Sequence, residues 1–171
     1  MKRQRFLMVA GVLCAAYLVW MLVEGASLYV LVAQAAPLGV MLAAAASQPM
    51  IALVCAGIIL LMRAYSAVTS LISMIPYGVS FSWLVDFVIS YAPILLISGM
   101  WVVALLKQRS VSASALLIAV AAAVFFFGRE IYLGIRLGYG LSPMWLIGAA
   151  RGALPYVAFA LAAKWELSPK S

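Results

Sequence analysis

The stretch SVSASALLIAVAAAVFFFGREIYLGIRLGYG, Ser110 to Gly140, runs for nineteen residues without a charge and then places Arg129, Glu130 and Arg136 within eight. A helix needs about 20 apolar residues to cross ~30 Å of hydrocarbon, and Ser110 to Gly128 is close to that length. Further charge-free windows run from Phe6 to Val23, Gly25 to Met62, Ala64 to Val85 and Phe87 to Leu106. The tail adds Leu141 to Ala163, broken by Arg151. With 68% of residues hydrophobic and 9% charged, the chain has too few polar groups to cover a water-soluble surface. It reads as an all-α, polytopic integral membrane bundle.

The window from Gly25 to Met62 is too long for one span, and Pro37, Gly39 and Pro49 offer places to turn or kink. The start, MKRQR followed by FLMVAGVLCAAYLVWMLV, has a basic head. Its apolar run exceeds a signal peptide's core, and Leu13 before Cys14 lacks the small residue of a lipoprotein signal. An uncleaved first span is expected.

Lys and Arg in short loops stay cytoplasmic. The clusters Lys2, Arg3, Arg5; Arg63; Lys107, Arg109; and Lys164, Lys170 all fall on that side if six spans alternate. The expected bounds are 6–29, 38–62, 65–80, 83–106, 111–134 and 142–163, in a single transmembrane domain with both termini cytoplasmic in a bacterial inner membrane. The third span, within AYSAVTSLISMIPYG, is short and hydroxyl-rich. Five or four spans, with Ser66 to Gly78 re-entering the bilayer, remain alternatives. Trp83, Trp101, Trp145, Trp165, Tyr77 and Tyr156 lie near expected span ends and are read as interface anchors.

Helices in lipid associate through small residues that let backbones approach. Gly134 with Gly138, and Gly148 with Gly152, have that four-residue spacing, so the last two helices are expected to pack tightly through them. Cys14 and Cys55 sit in separate apolar runs and read as small buried hydrophobes.

The absence of histidine removes His-based acid–base catalysis, the H-E-x-x-H zinc site and a serine triad with a His base. No phosphate-binding glycine loop is present, because GIRLGYG lacks the following Lys-Ser/Thr. No cofactor is implied. The net charge of +7 is dispersed among span ends, which points to membrane orientation and away from nucleic acid. The partners implied are the bilayer and a membrane protein or a second copy.

Ionisable groups inside the apolar runs remain, and an ion at mid-bilayer costs at least ~2.5 kcal/mol. Glu24 is expected at the outer end of span one. Asp86 is expected to serve as the amino-terminal acid of span four, and Arg63 to close span two and extend to the headgroups. Arg129 and Glu130 are neighbours that point about 100° apart, so they are poor partners for each other. Glu130 shares a helix face with Gly134 and Gly138. One reading ends span five at Arg129 and leaves three solvated charges. The sharper one pairs Glu130 with Arg151 and assembles an ionic or anion-binding cluster from Arg129, Glu130, Arg136 and Arg151.

From ALLKQRS, Ala104 to Ser110, through the next span to RGALPYVAFALAAKWELSPKS, Arg151 to Ser171, the order resembles the carboxyl-terminal half of an uncharacterised family of small, four-span bacterial inner-membrane proteins. Lys107 and Arg109 match that family's basic cluster, and Pro155, Tyr156 and Lys164 match its Pro-Tyr pair and basic tail. The resemblance implies a helical inner-membrane protein and no mechanism. Three functions follow in order: a non-catalytic subunit or accessory protein, a small transporter or channel using intramembrane charges, and an enzyme acting on a lipid or quinone.

Overall fold

A computed structural model describes residues 2–107, 113–138 and 142–167. Arg109 and Lys170 lie outside these residues. Among the described residues the chain is six helices: α1 (Lys2–Val23), α2 (Leu28–Ala45), α3 (Pro49–Met74), α4 (Phe81–Leu106), α5 (Ala113–Arg136) and α6 (Pro143–Leu167), with a short 3₁₀ turn, Ile75–Tyr77, after α3. All six are long and apolar enough to cross a membrane.

Local chemistry explains the breaks. Gly25 takes φ +76°, and the amides of Gly25 and Ala26 return to the carbonyls of Leu22 and Met21, which closes α1 at Val23. Ser27 then caps α2 by accepting from the Val30 amide at 3.4 Å. Ser47 adopts φ 57°, and Gln48 N–H returns to Ala43 O at 2.8 Å. Pro49 opens α3 at its first position. Pro37, Pro93 and Pro155 lie within helices, as spans packed against neighbours tolerate.

The helix number expected for six spans is found, but the first three spans are placed differently. The expected span 6–29 runs through the Gly25 turn into the start of α2. The expected span 38–62 straddles the real turn, and the expected short span 65–80 is mostly the second half of α3. The Ser47 turn uses a non-glycine residue in the left-handed region, so glycine did not mark it. Arg63 consequently does not close a helix. It stands about 21 Å from the Pro49 end and about 16 Å from the Met74 end of α3, at 1.5 Å per residue.

Helices α2, α3, α4, α5 and α6 form a closed ring, each touching its neighbours, with α5 against α6 the most extensive contact. The core is built from Val40, Ala56, Ile59, Ile94, Ile97, Trp101, Ala119, Tyr156 and Phe159. Helix α1 packs outside the ring, with Ala10 against Leu38, Met41 and Ala158. Phe6 meets Trp165 at the end of the bundle where α1 begins and α6 finishes, their ring centroids 5.0 Å apart.

Packing is unequal along the bundle. The first residue of α4 to be buried is Ile94, and α3 beyond Ile59 buries only Ala67. The half nearer the termini is therefore the tightly filled one. Trp101 and Tyr156, read as interface anchors, are instead core residues, 0% and 5% exposed; Tyr156 stacks on Phe126 at 4.8 Å. Tyr77 keeps the exposure expected of an anchor.

The α5–α6 contact is tight, as expected, but three of its four predicted glycines do not make it. A methyl group on Gly148, Gly152 or Gly138 would meet nothing within 4 Å. Gly138 instead ends α5 with φ +78°, and its amide returns to Ile135 O at 3.2 Å. Gly134 alone is close-packed, against the Trp145 indole. Small residues are nonetheless buried along both helices, Ala115, Ala119 and Ala122 on α5 and Ala149, Ala153 and Ala163 on α6.

Candidate functional site

Charges gather at the end of the bundle away from the termini. Glu24 is fixed at the α1–α2 corner by the Gly25 turn. Its carboxylate accepts a hydrogen bond from Arg151 Nη2 at 2.6 Å, and the Arg151 guanidinium lies 4.5 Å from the centroid of the Trp20 ring. The two side chains are 33% and 43% exposed, so the pair is a charge-assisted contact at a half-open site. It ties α1 to α6. Tyr17, about two turns deeper on the same face of α1, lines the same pocket as Arg151.

Below this pair lies a pocket of about 330 Å³, lined by Leu13, Cys14, Tyr17, Leu38, Ala150 and Leu154, with Trp20, Ile147 and Arg151 at its polar corner. Cys14 faces this pocket and is only partly buried. Cys55 packs on Gly39 of α2, as a small hydrophobe would.

A second group joins α5 to α4. Arg129 lies 3.8 Å from Asp86 and 3.7 Å from Glu130. The neighbouring pair therefore does meet, because the long arginine side chain bends back where the 100° offset alone would separate shorter groups. Asp86 is 67% exposed, and it stands five residues past Phe81, beyond the first turn of α4. It is thus not the amino-terminal acid of its helix. Glu130 serves α6 through its backbone: the Trp145 Nε1–H donates to the Glu130 carbonyl.

The predicted four-residue cluster is divided. Arg151 is paired with Glu24 and not with Glu130; Arg129 and Glu130 form the other group with Asp86. Arg136 is exposed in the last turn of α5 and joins neither. The sequence reading favoured Glu130 for Arg151 because both lie in the tail hairpin. The sequence signal for the α1 partner is the face marked by Tyr17, Trp20 and Glu24, at steps of three and four.

No family model, curated protein or solved structure matches this chain. Its chemistry has to be read from its own residues. Among the described residues no group of three His, Cys, Asp or Glu side chains is placed to hold a metal.

One polar residue was misread altogether. Ala52, Ala56, Ile59, Arg63 and Ala67 follow helical spacing, and the other four are 1%, 0%, 4% and 8% exposed. Arg63 thus occupies a position in the core-facing stripe of α3. It is half-buried. The stripe of small residues was the available signal; the misplaced helix end hid it.

Proposed function

We propose that this chain is a six-span inner-membrane protein, with both termini cytoplasmic, that works as a non-catalytic subunit or accessory protein. The observation that carries the reading is the use made of the intramembrane acids. Glu24 ties α1 to α6 through a hydrogen-bonded ion pair, and Asp86 faces Arg129 loosely across α4 and α5, so these carboxylates lie at helix-to-helix contacts. The orientation rests on the Lys and Arg count: Lys2, Arg3, Arg5, Lys107 and Lys164 belong to the end where α1 begins and α6 finishes, against Arg129, Arg136 and Arg151 toward the other.

Thiol labelling tests the orientation. In a chain with Cys14→Ala and Cys55→Ala, a cysteine at Ser47 is expected on the cytoplasmic side and one at Ala26 on the opposite side. Reversed labelling would overturn the proposed orientation. The accessory role predicts that the tagged full chain, cross-linked in its own membrane, is recovered with a stoichiometric membrane-protein partner or a second copy. Recovery only as a monomer would sink it. A small transporter or channel is the second reading, favoured by Arg63 on the core stripe of the less tightly filled half.

A further inference from the structure

Helix α1 leans on α2 and leaves a gap beside α6. Its backbone packs on α2 far more extensively than on α6, with Ala10 against Leu38 and Met41 of α2. Side chains cross the gap at both ends: Phe6 to Trp165 and Ala10 to Ala158 on one side, Glu24 to Arg151 at 2.6 Å on the other. Between these crossings lies the pocket of about 330 Å³, the size of a small-ligand site.

The walls fix the body of the occupant. Leu13, Leu38, Ile147, Ala150 and Leu154 line the pocket, so they take hydrocarbon. Leu13, midway along α1, is 64% exposed, and Ile147 across from it on α6 is 39% exposed. The mouth therefore opens sideways, onto the surface that a bilayer covers with lipid. The pocket runs from Leu13 to Trp20 on α1 and from Ile147 to Leu154 on α6, about 10 Å on each helix. That is most of the ~15 Å of hydrocarbon in one leaflet, a fit for one acyl chain.

The polar corner fixes the head. Tyr17 Oη and Arg151 Nε are shielded from solvent and have no hydrogen-bond partner among the described residues, whereas buried polar atoms in proteins are normally paired. Both side chains line the pocket, so acceptors seated there would supply the missing partners. A phospholipid carries such acceptors, its ester carbonyls, where chain joins head. Beyond them, Arg151 and Glu24 stand side by side with 33% and 43% of their side chains exposed. Their contact uses one N–H of the guanidinium and one carboxylate oxygen, which leaves further donors and acceptors. Taken together the pair is neutral, so it matches a headgroup that carries both signs better than one that carries only negative charge. A quinone offers neither sign.

We propose that the cleft between α1 and α6 is a phospholipid site: one acyl chain enters the pocket from the bilayer, and a zwitterionic, amine-bearing headgroup lies on the ion pair, phosphate toward Arg151 and ammonium toward Glu24. The site needs only the pocket and the pair. It does not rest on the accessory role.

The test uses the purified full chain in nanodiscs of equal phosphatidylethanolamine and phosphatidylglycerol with a minor fraction of ubiquinone, and native mass spectrometry weighs what the chain retains. Wild type is expected to keep one phospholipid, with phosphatidylethanolamine favoured by roughly two- to fivefold, the scale of a partly exposed ion pair. Ala150→Trp, which fills the pocket, should lower retention by at least about tenfold, the loss of one buried apolar group. Ala150→Leu should lower it in part and carries the comparison if the larger residue disturbs the helices. Leu117→Trp, at a site on α5 that is 70% exposed, should leave retention unchanged. Glu24→Gln should turn the preference toward phosphatidylglycerol, because Arg151 is then uncompensated. A pair that only ties α1 to α6 would lose stability in that variant and keep its headgroup preference. Retention that is absent, or equal in the Ala150 and Leu117 variants, overturns the proposal. So does a wild-type preference for phosphatidylglycerol, a preference that Glu24→Gln leaves unmoved, or ubiquinone held in place of phospholipid.

Discussion

Gly134→Ala should be the most damaging of the glycine-to-alanine changes in the tail hairpin. A Cβ at this position would press on Trp145 Nε1 and lie 2.5 Å from Cδ1 and 2.9 Å from Cε2. Ordinary carbon contacts are ~3.5–4.0 Å, so the indole must retreat by more than about 1 Å. It is a rigid, two-torsion group and cannot yield at its tip as a methionine would. Overpacking of this kind costs about 1–3 kcal/mol. The displaced indole also loses its hydrogen bond to the Glu130 carbonyl, about 0.5–1.5 kcal/mol more. Alanine returns up to ~1 kcal/mol through its helix propensity. The net expectation is a loss of about 1–3 kcal/mol. Titration with SDS in mixed micelles, followed by helical circular dichroism, measures it. Gly148→Ala and Gly152→Ala, where the added methyl meets open space, supply the controls and should be neutral or slightly stabilising. In a Trp145→Ala background the penalty of Gly134→Ala should vanish. Equal stability of Gly134→Ala and Gly148→Ala would refute the packing argument.

Other outcomes follow from the same contacts. Gly39→Ala brings a methyl to 2.7 Å from Cys55 Sγ; it should destabilise by about 1 kcal/mol or more, and Cys55→Ala should relieve most of that loss in the same titration. Glu24→Gln and Arg151→Gln should be coupled: the double variant should be less destabilised than the singles predict, by about 1 kcal/mol at this degree of exposure. An additive result would mean the 2.6 Å contact is not maintained in the bilayer. Arg129→Gln should change stability by less than ~0.5 kcal/mol, because its ion-pair distances of 3.7 and 3.8 Å and the exposure of Asp86 leave little to lose. Ser47→Gly should stabilise by roughly 0.5–1 kcal/mol, since the residue at φ 57° pays a left-handed cost that glycine avoids.

Much of the fold was legible because span length and apolar composition are properties of consecutive residues. The charge-free windows ending at Val23 and Leu106 stop where α1 and α4 stop, although the first expected span ran on to residue 29, and six apolar helices are found. The region from Gly25 to Gly78 was harder. It contains two helices and one turn, Ala46 to Gln48, and the turn carries no glycine or charge to announce it. Moving that boundary converted Arg63 from a helix end into a core position and removed the short third span.

Pairing was not legible in the same way. Glu130 is twenty-one residues from Arg151 and Glu24 is 127 away, yet the distant acid is the partner. Helix α1 lies outside the ring between α2 and α6, and only the packing of Ala10 against Leu38 and Ala158 brings its carboxyl end to Arg151. The four-residue glycine spacing likewise could not say which glycines meet a neighbour. That depends on where Trp145 points.

Taken alone, the sequence determined the apolar solvent of this chain and favoured six helices over five or four, because the hydrophobic effect and the thickness of a bilayer act on local runs of residues. Only the tertiary structure decided which charges are compensated. Coulomb attraction depends on distances between helices, and those are fixed by packing that no single segment contains.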